Sequence, residues 1–353
     1  LTIVDNNMFS NCPNLIYVDL PNVRNIFPFA FHSCYLLNSI TNAESIGEYA
    51  FANNNAITEL HLSKVMKIHN FAFSNCSNLI KIDFRNCNHI EKGAFQNCIK
   101  LTEINLPNLL YLNDMAFQNT ALYNVKLDSV TFLYLTNGRH FSGCSNLTKI
   151  SMKSALYIHP YMFENCTNLQ YIDFPNAKII SEFAFLRCNS LYKINLPKLV
   201  KVDKSAFNGM INLKEVYLNN VINVFDFAFY NCKNLVHVDL SNCLYIHQYS
   251  FLNCYKLSKV NIPRFTVVNE TAFTNTLIKK NCQGLASKFP KCKQINGKGV
   301  TYLVQSIDFR IIYMFYILIL VLLFVILEKY KCNLKYRSRK DNSQYEELKD
   351  HTA

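Results

Sequence analysis

Residues 162–185 read MFENCTNLQYIDFPNAKIISEFAF, and this pattern returns along most of the chain. The phenylalanine equivalent to Phe163 occurs thirteen times, and ten of the twelve intervals are 22 residues. The other two intervals are 20 residues, after Phe31, and 24 residues, after Phe117. A fixed period of this length predicts a solenoid, in which each repeat contacts only its neighbours. The series is Phe9, Phe31, Phe51, Phe73, Phe95, Phe117, Phe141, Phe163, Phe185, Phe207, Phe229, Phe251 and Phe273.

Each clean copy follows the pattern A-F-x-N-C-x-x-L-x-x-I-x-L-P, with a further aliphatic residue before the next copy. The L-x-x-I-x-L part ends in alternating apolar and polar residues, which predicts a half-buried β-strand. Strands of successive copies are expected to stack as a ladder, about 4.8 Å apart. The alanine that precedes most of the phenylalanines, such as Ala184, predicts a crowded turn or a helical corner.

The Asn-Cys pair before L-x-x-I-x-L resembles a leucine-rich repeat. The Ala-Phe-x-x-Cys-x-x-Leu form with a period near 22 resembles the BspA-like class of surface proteins from bacteria and parasitic protists. The resemblance covers residues 1–276 and implies an α/β-type, right-handed leucine-rich-repeat solenoid of about 13 repeats. The copies around Phe51 and Phe117 depart from the pattern, since Asn54 and Thr120 replace the cysteine there and the lengths differ. These copies are expected to mark a kink or a loop insertion.

The chain has fourteen cysteines, and nine of them occupy one repeat position. A single position stacked along a solenoid predicts a ladder of small, buried free thiols, with metal or disulfide chemistry as the alternative. Cys87 and Cys243 share a second repeat position and receive the same interpretation. Cys282 and Cys292 lie beyond the repeats and are predicted to pair as a disulfide if they are extracellular. The nine are Cys12, Cys34, Cys76, Cys98, Cys144, Cys166, Cys188, Cys232 and Cys254.

An uncharged apolar run within residues 307–328 predicts a single transmembrane helix, and the alternative is the buried helix of a soluble protein. It separates a Lys-rich cap or stalk, residues 277–306, from a basic tail, residues 329–353. The positive-inside rule places that tail in the cytosol. The sequence therefore predicts a single-pass type I protein of the plasma membrane with extracellular repeats. The chain starts at Leu1 without a leader, so a fragment or processed form is expected.

Asparagine sequons agree with this topology, since all four precede the apolar run. Glycosylation is therefore predicted at Asn75, Asn146, Asn165 and Asn269.

Charge and motifs narrow the class of function. The formal net charge is +12, but much of it lies between Lys279 and Lys298 and in the tail, so it does not indicate a nucleic-acid partner. No phosphate-binding glycine loop, zinc-binding His-Glu-x-x-His or nucleophile motif is present in the sequence. Catalysis needs convergent groups, and the scattered histidines do not suggest them. We therefore expect a non-enzymatic protein without a metal or a cofactor.

The tail carries two overlapping tyrosine patterns. Tyr345 to Leu348 resembles a Tyr-x-x-hydrophobic sorting signal, which implies a clathrin adaptor as a partner. Asn342 to Tyr345 resembles an Asn-Pro-x-Tyr signal, although Ser343 stands at the proline position. An inert, solvated tail is the alternative. Cys332 is a candidate for palmitoylation, or an unmodified cysteine.

The outward positions of the predicted strands carry acidic, amide and tyrosine side chains, which suit recognition of proteins or glycans. A solvated face is the alternative, and a calcium role for the aspartates is weakly supported because a ladder lacks clustered loop ligands. The chain is thus predicted to be an adhesin that binds a host-cell, matrix or microbial surface protein or glycan. An endocytic or signalling receptor and a structural coat are the other hypotheses. The candidate residues are Tyr17, Asp19, Asp83, Tyr171, Asp173, Tyr217 and Asp239.

Overall fold

A computed structural model describes residues 1–39, 43–133, 138–263 and 265–280. Within these ranges, no helix is long and apolar enough to cross a membrane. The predicted transmembrane segment, the tail motif at Asn342, Tyr345 and Leu348, and the predicted disulfide between Cys282 and Cys292 lie outside the described residues.

The described chain forms short parallel strands, in which each repeat contributes up to two. One is two residues long and the other is three. They are β1 (Ile3–Val4), β2 (Asn25–Ile26), β3 (Ser45–Ile46), β4 (Glu59–His61), β5 (Lys67–Ile68), β6 (Lys81–Asp83), β7 (His89–Ile90), β8 (Glu103–Asn105), β9 (Tyr111–Leu112), β10 (Asn124–Lys126), β11 (Phe132–Leu133), β12 (Lys149–Ser151), β13 (Tyr157–Ile158), β14 (Tyr171–Asp173), β15 (Ile179–Ile180), β16 (Lys193–Asn195), β17 (Lys201–Val202), β18 (Glu215–Tyr217), β19 (Asn223–Val224), β20 (His237–Asp239), β21 (Tyr245–Ile246), β22 (Lys259–Asn261) and β23 (Val267–Val268). A four-residue helix, α1 (Leu277–Lys280), follows.

The three-residue strands confirm the strand predicted for L-x-x-I-x-L. Their central residue points inward, as Ile194 and Val216 do, and both are fully buried. Neighbouring strands pair in parallel one repeat apart, so that Lys193 lies beside Glu215. The strands form three groups, β4-β6-β8, β10-β12-β14 and β16-β18-β20-β22. The first break coincides with an irregular spacing, but nothing in the 22-residue spacing explains the second.

The two-residue strands form a second ladder in two parts, β1-β2-β3-β5-β7-β9-β11 and β13-β15-β17-β19-β21-β23. The sequence pattern indicated each of these strands only as an isolated aliphatic residue. In β15 and β17 that residue is Ile180 and Val202, and both are fully buried. The thirteen two-residue strands delimit about twelve turns of the solenoid. Two residues are too few for an alternating pattern to be visible, which is why this ladder escapes sequence analysis.

The corner around each phenylalanine is a turn rather than a helix, so the α/β-type expectation is wrong for the repeats. Residues two before and two after the phenylalanine adopt a left-handed conformation, as in Phe183 (φ 54°) and Arg187 (φ 61°). Left-handed residues cannot continue an α-helix. Asparagine tolerates this conformation better than most residues, which explains its frequent place after the phenylalanine. The described repeats therefore consist of strands and turns.

The repeated phenylalanines stack as one continuous column in the core. All twelve consecutive pairs are in contact, with ring centroids 5.0–5.7 Å apart. The stack continues across the irregular intervals, with 5.1 Å between Phe31 and Phe51 and 5.7 Å between Phe117 and Phe141. Length changes are therefore absorbed elsewhere in the repeat, and the core keeps its geometry.

The cysteine ladder is confirmed as a row of free thiols, which are buried except for the half-buried Cys12. From Cys34 onward each of these thiols donates a hydrogen bond to a phenylalanine carbonyl of the preceding repeat, as Cys188 does to Phe163 at 3.1 Å. Burial raises the pKa of the Cys76 thiol to about 12, so the protonated donor persists at neutral pH. In the copy where Asn54 replaces the cysteine, its side-chain amide donates to the equivalent Phe31 carbonyl at 2.8 Å. A hydrogen-bond donor is therefore favoured at this position, although the buried Met210 in the copy after Phe207 shows that one is not required.

Candidate ligand-binding face

The first and third residues of the three-residue strands point away from the core, because side chains alternate along a strand. We call this surface the strand face. Five predicted residues, Asp83, Tyr171, Asp173, Tyr217 and Asp239, lie on it. Of these five residues, only Tyr217 and Asp239 are cross-strand neighbours. Tyr171 and Asp173 lie on the same strand, β14.

Tyr17 and Asp19 lie outside the three-residue strands that the structure describes, the first of which begins at Glu59. Both side chains are exposed. Their role in ligand binding stays a prediction.

The first strand group carries charges that are internally paired. The Asp83 carboxylate accepts hydrogen bonds from Arg85 at 3.3 Å and from the Asn105 amide at 2.7 Å. Partial burial opposes ionisation, but these donors outweigh it and lower the pKa of Asp83. Lys81 forms an ion pair with Glu103 at 3.1 Å, which raises the pKa of Lys81. This group therefore presents mostly satisfied polar side chains.

The middle group presents an exposed aromatic ring. Tyr171 is 50% exposed, and the Lys149 ammonium lies 4.8 Å from its ring centroid. Asp173 accepts a hydrogen bond from the Ser151 hydroxyl at 3.1 Å. The tyrosine is thus held by its neighbour while one side of it remains available to a partner.

The last group contains a shallow, open depression of about 430 Å³. It extends over three neighbouring strands, β18, β20 and β22, and over the residues that precede them. Tyr217 lies in its wall with Glu215, and its hydroxyl donates to the Glu215 carboxylate at 3.2 Å. The principal polar and aromatic lining residues are Tyr192, Lys214, Glu215, Tyr217, His237 and Lys259.

The sequence analysis missed Tyr192 and Lys214 as site residues. Each lies one position before a strand, at the first variable position after the leucine of L-x-x-I-x-L, which we call the spacer. In the structure, the Lys214 ammonium lies 4.8 Å from the Tyr192 ring centroid, so the two spacers of adjacent repeats touch. A row of spacers aligned at the 22-residue period could have indicated this contact.

Metal chemistry finds no support on this face. Within the ranges that the structure describes, no group of three His, Cys, Asp or Glu side chains could hold a metal ion. The aspartates are instead bonded to neighbouring amides and hydroxyls, as Asp239 is to Asn261 at 2.9 Å.

The sequons occupy different environments. The Asn75 side chain joins an amide ladder, since it donates to Asn53 and accepts from Asn97, each at 3.0 Å. Asn269 is exposed, and its side-chain oxygen accepts from the Thr271 hydroxyl at 2.7 Å. Asn146 is exposed and Asn165 is half-buried. Glycosylation at these four positions stays a prediction.

Comparison with protein families shows to which family the chain belongs. The family described as "BspA type Leucine rich repeat region (6 copies)" matches residues 2–123, 66–189 and 178–282. The chain belongs to this family. Leucine-rich repeats of this type are protein-interaction scaffolds rather than known enzymes.

Several solved structures are similar to the chain. A leucine-rich repeat protein from Bacteroides ovatus is 25% identical, with a TM-score of 0.50 over 76% of this chain and 81% of that chain. A leucine-rich cell surface protein from Faecalibacterium prausnitzii is 20% identical, with a TM-score of 0.38 over 68% and 83%. A chain of the Drosophila Toll–Spätzle complex is 17% identical, with a TM-score of 0.39 over 70% and 37%. No curated protein matches the chain.

Proposed function

We propose that this BspA-type protein is a cell-surface adhesin that binds a host-cell, matrix or microbial surface protein or glycan through the strand face. The observation that carries the proposal is the contrast between the uniform interior and the varied strand face. Central strand residues such as Ile194, Val216 and Val238 are all aliphatic and fully buried. The residues before them, Lys193, Glu215 and His237, differ in charge and shape.

This contrast has a physical meaning. A buried lattice needs the same side chains in each repeat, whereas a surface that only faces water does not need large aromatic groups. Tyrosines such as Tyr171 supply rigid contact area at a low entropic cost, which suits recognition. An extended face formed by stacked repeats also favours large partners over small molecules. Exposure of the repeats outside the cell follows in this proposal from the apolar run at residues 307–328.

We expect Tyr171→Ala combined with Tyr217→Ala to abolish saturable binding of the purified full chain to target cells or to an array of matrix proteins and glycans. The reason is the loss of both aromatic anchors on the strand face; such anchors contribute about 2 kcal/mol or more each at interfaces. The matched control is Tyr157→Ala combined with Tyr245→Ala, which removes two exposed rings from the two-residue strands. Equal loss in both variants, or no loss in either, contradicts the proposal.

A second role as an endocytic receptor is proposed from the tail sequence, because the Tyr345-to-Leu348 pattern lies close to the predicted membrane segment. In this role, a clathrin adaptor binds Tyr345 and Leu348 in separate pockets. We expect Tyr345→Ala to slow uptake of the surface-labelled chain while ligand binding at 4 °C is unchanged. Uptake at the rate of the unmodified chain would exclude the role, and Tyr336→Ala in the same tail is the control.

A further inference from the structure

We infer that the depression on the last strand group binds acidic side chains of a protein partner. This inference rests on the proposed function, since it names the chemistry that the strand face recognises there. The site consists of Lys214, Lys259 and His237, with the rings of Tyr192 and Tyr217 at its sides.

The carboxylates of this region already have partners within the protein. Glu215 forms an ion pair with Lys193 at 3.3 Å and accepts a hydrogen bond from the Tyr217 hydroxyl at 3.2 Å. Asp239 accepts hydrogen bonds from Ser241 and from Asn261. The Glu215 charge is therefore compensated by Lys193, and two donors of the protein already occupy the Asp239 carboxylate.

The ammonium groups of Lys214 and Lys259 are in the opposite situation. Among the described residues, neither forms an ion pair with an acid, although both line the depression. Lys214 lies 4.8 Å from the Tyr192 ring centroid, and this cation–π contact holds its position without neutralising its charge. Two unneutralised cations that face one open depression favour an anionic ligand.

His237 supplies a further polar group between the two lysine-bearing repeats. Its Nδ1 atom is buried and has no hydrogen-bond partner among the described residues. The ring lies 5.4 Å from that of Tyr217, which fixes it in the wall of the depression. A buried polar atom without a partner is unfavourable, so a ligand that reaches it gains a hydrogen bond that the free protein lacks.

The first strand group shows that this arrangement is not a general property of the strand face. There the cations have acidic partners, since Lys81 is paired with Glu103 and Arg85 with Asp83. An acidic ligand would have to displace these partners, whereas Lys214 and Lys259 of the last group are available to it.

The available donors favour carboxylates over sugar hydroxyls. The amide of Asn261 is bonded to Asp239 and Ser241, so it is not free for the multiple hydrogen bonds that neutral sugars need. Lys214 directly precedes β18 and Lys259 begins β22, and these two strands are two positions apart in the ladder, or about 10 Å. Flexible lysines at this distance reach carboxylates two to four residues apart in an extended peptide segment, which rises about 3.4 Å per residue.

The test uses the full chain in detergent micelles with an array of short peptides in which the number of Asp and Glu residues varies, each matched by an Asn and Gln counterpart. We expect retention to increase with acidic content and to weaken as salt is raised. Lys214→Gln combined with Lys259→Gln is expected to weaken binding of acidic peptides about tenfold. The control is Lys81→Gln combined with Lys149→Gln, which removes two charges from the other groups of the strand face and leaves this binding unchanged.

Several results would overturn the inference. These are equal retention of the amide counterparts, equal loss in both lysine variants, and binding of sialyllactose without binding of acidic peptides. If the two-tyrosine variant Tyr171→Ala and Tyr217→Ala loses its surface ligand while the Lys214 and Lys259 variant keeps it, recognition by the strand face stands and the acidic specificity fails. Unchanged thermal unfolding of the lysine variants verifies that their exposed substitutions leave the fold intact.

Discussion

Phe163→Ala is expected to lower the free energy of unfolding by about 3–5 kcal/mol, the usual cost of truncating a buried phenylalanine. The Phe163 ring is fully buried and contacts Phe141, Phe174 and Phe185, with centroid distances of 5.7, 5.7 and 5.2 Å. Its removal leaves a cavity in the middle of a column whose rings are held at fixed spacing by both neighbours, so little relaxation can fill it.

The measurement is urea unfolding of the full chain, followed by circular dichroism. The backbone carbonyl of residue 163 still accepts the Cys188 thiol in the variant, so the change reports the ring alone. Phe265→Ala is the control, because that ring is 71% exposed and its loss should change stability by less than about 0.5 kcal/mol. Equal effects of the two substitutions would show that the phenylalanine column does not stabilise the solenoid.

Acidification from pH 7 to pH 5 is expected to destabilise the repeats through His140. This side chain is fully buried, and neither ring nitrogen has a hydrogen-bond partner among the described residues. Burial, and then the nearby charge of His159, lower the pKa of His140 to about 3. Its ring centroid lies 5.5 Å from that of His159. The pKa of His159 is also lowered by burial, although Asp114 opposes that shift.

Proton linkage gives the direction in which stability changes with pH. In the unfolded chain, histidine has a pKa of about 6.5, so the unfolded state binds a proton that native His140 does not bind. The stability that His140 contributes is complete above about pH 6.5 and is lost as the pH falls toward about 3. At pH 5 the loss is about 2 kcal/mol, since each pH unit below 6.5 costs about 1.36 kcal/mol.

His140→Met is expected to remove most of this dependence, because Met162 occupies the equivalent buried position in the next repeat. The difference between the unfolding free energies at pH 7 and pH 5 should then be about 2 kcal/mol smaller than in the unmodified chain. His61→Met is the control, since His61 is exposed beside Glu59 and should leave the slope unchanged. A slope in His140→Met equal to that of the unmodified chain would exclude this histidine as the cause.

The sequence predicted the core because core positions repeat with the period of the fold. The residues equivalent to Phe163 and Cys166 pack in the same surroundings in each repeat, so the same residue type suits these positions every 22 residues. The strand at L-x-x-I-x-L was visible for the same reason. The two-residue strands, such as β15, were not, because two residues cannot display a period. At the corner the sequence left a turn and a helical corner as alternatives, and it could not decide between them because aromatic residues such as Phe183 rarely adopt a left-handed conformation.

The candidate site was predicted only as a surface. Spacing along the chain placed Tyr217 and Asp239 on one face, and the register confirms that they are neighbours. It could not show that Asp239 is already satisfied by its neighbours while Lys214 lacks an acidic partner among the described residues. Such differences depend on side-chain contacts between adjacent repeats, which no periodic pattern encodes.

Hydrogen exchange of the full chain, alone and with the partner that it retains from the surface arrays, tests the central proposal most directly. Recognition by the strand face predicts slower exchange at the three-residue strands β14, β16, β18, β20 and β22 and in the residues that precede them. The two-residue strands should exchange at unchanged rates. Protection confined to the two-residue strands or to the corner turns, with these five strands unaffected, would contradict the account.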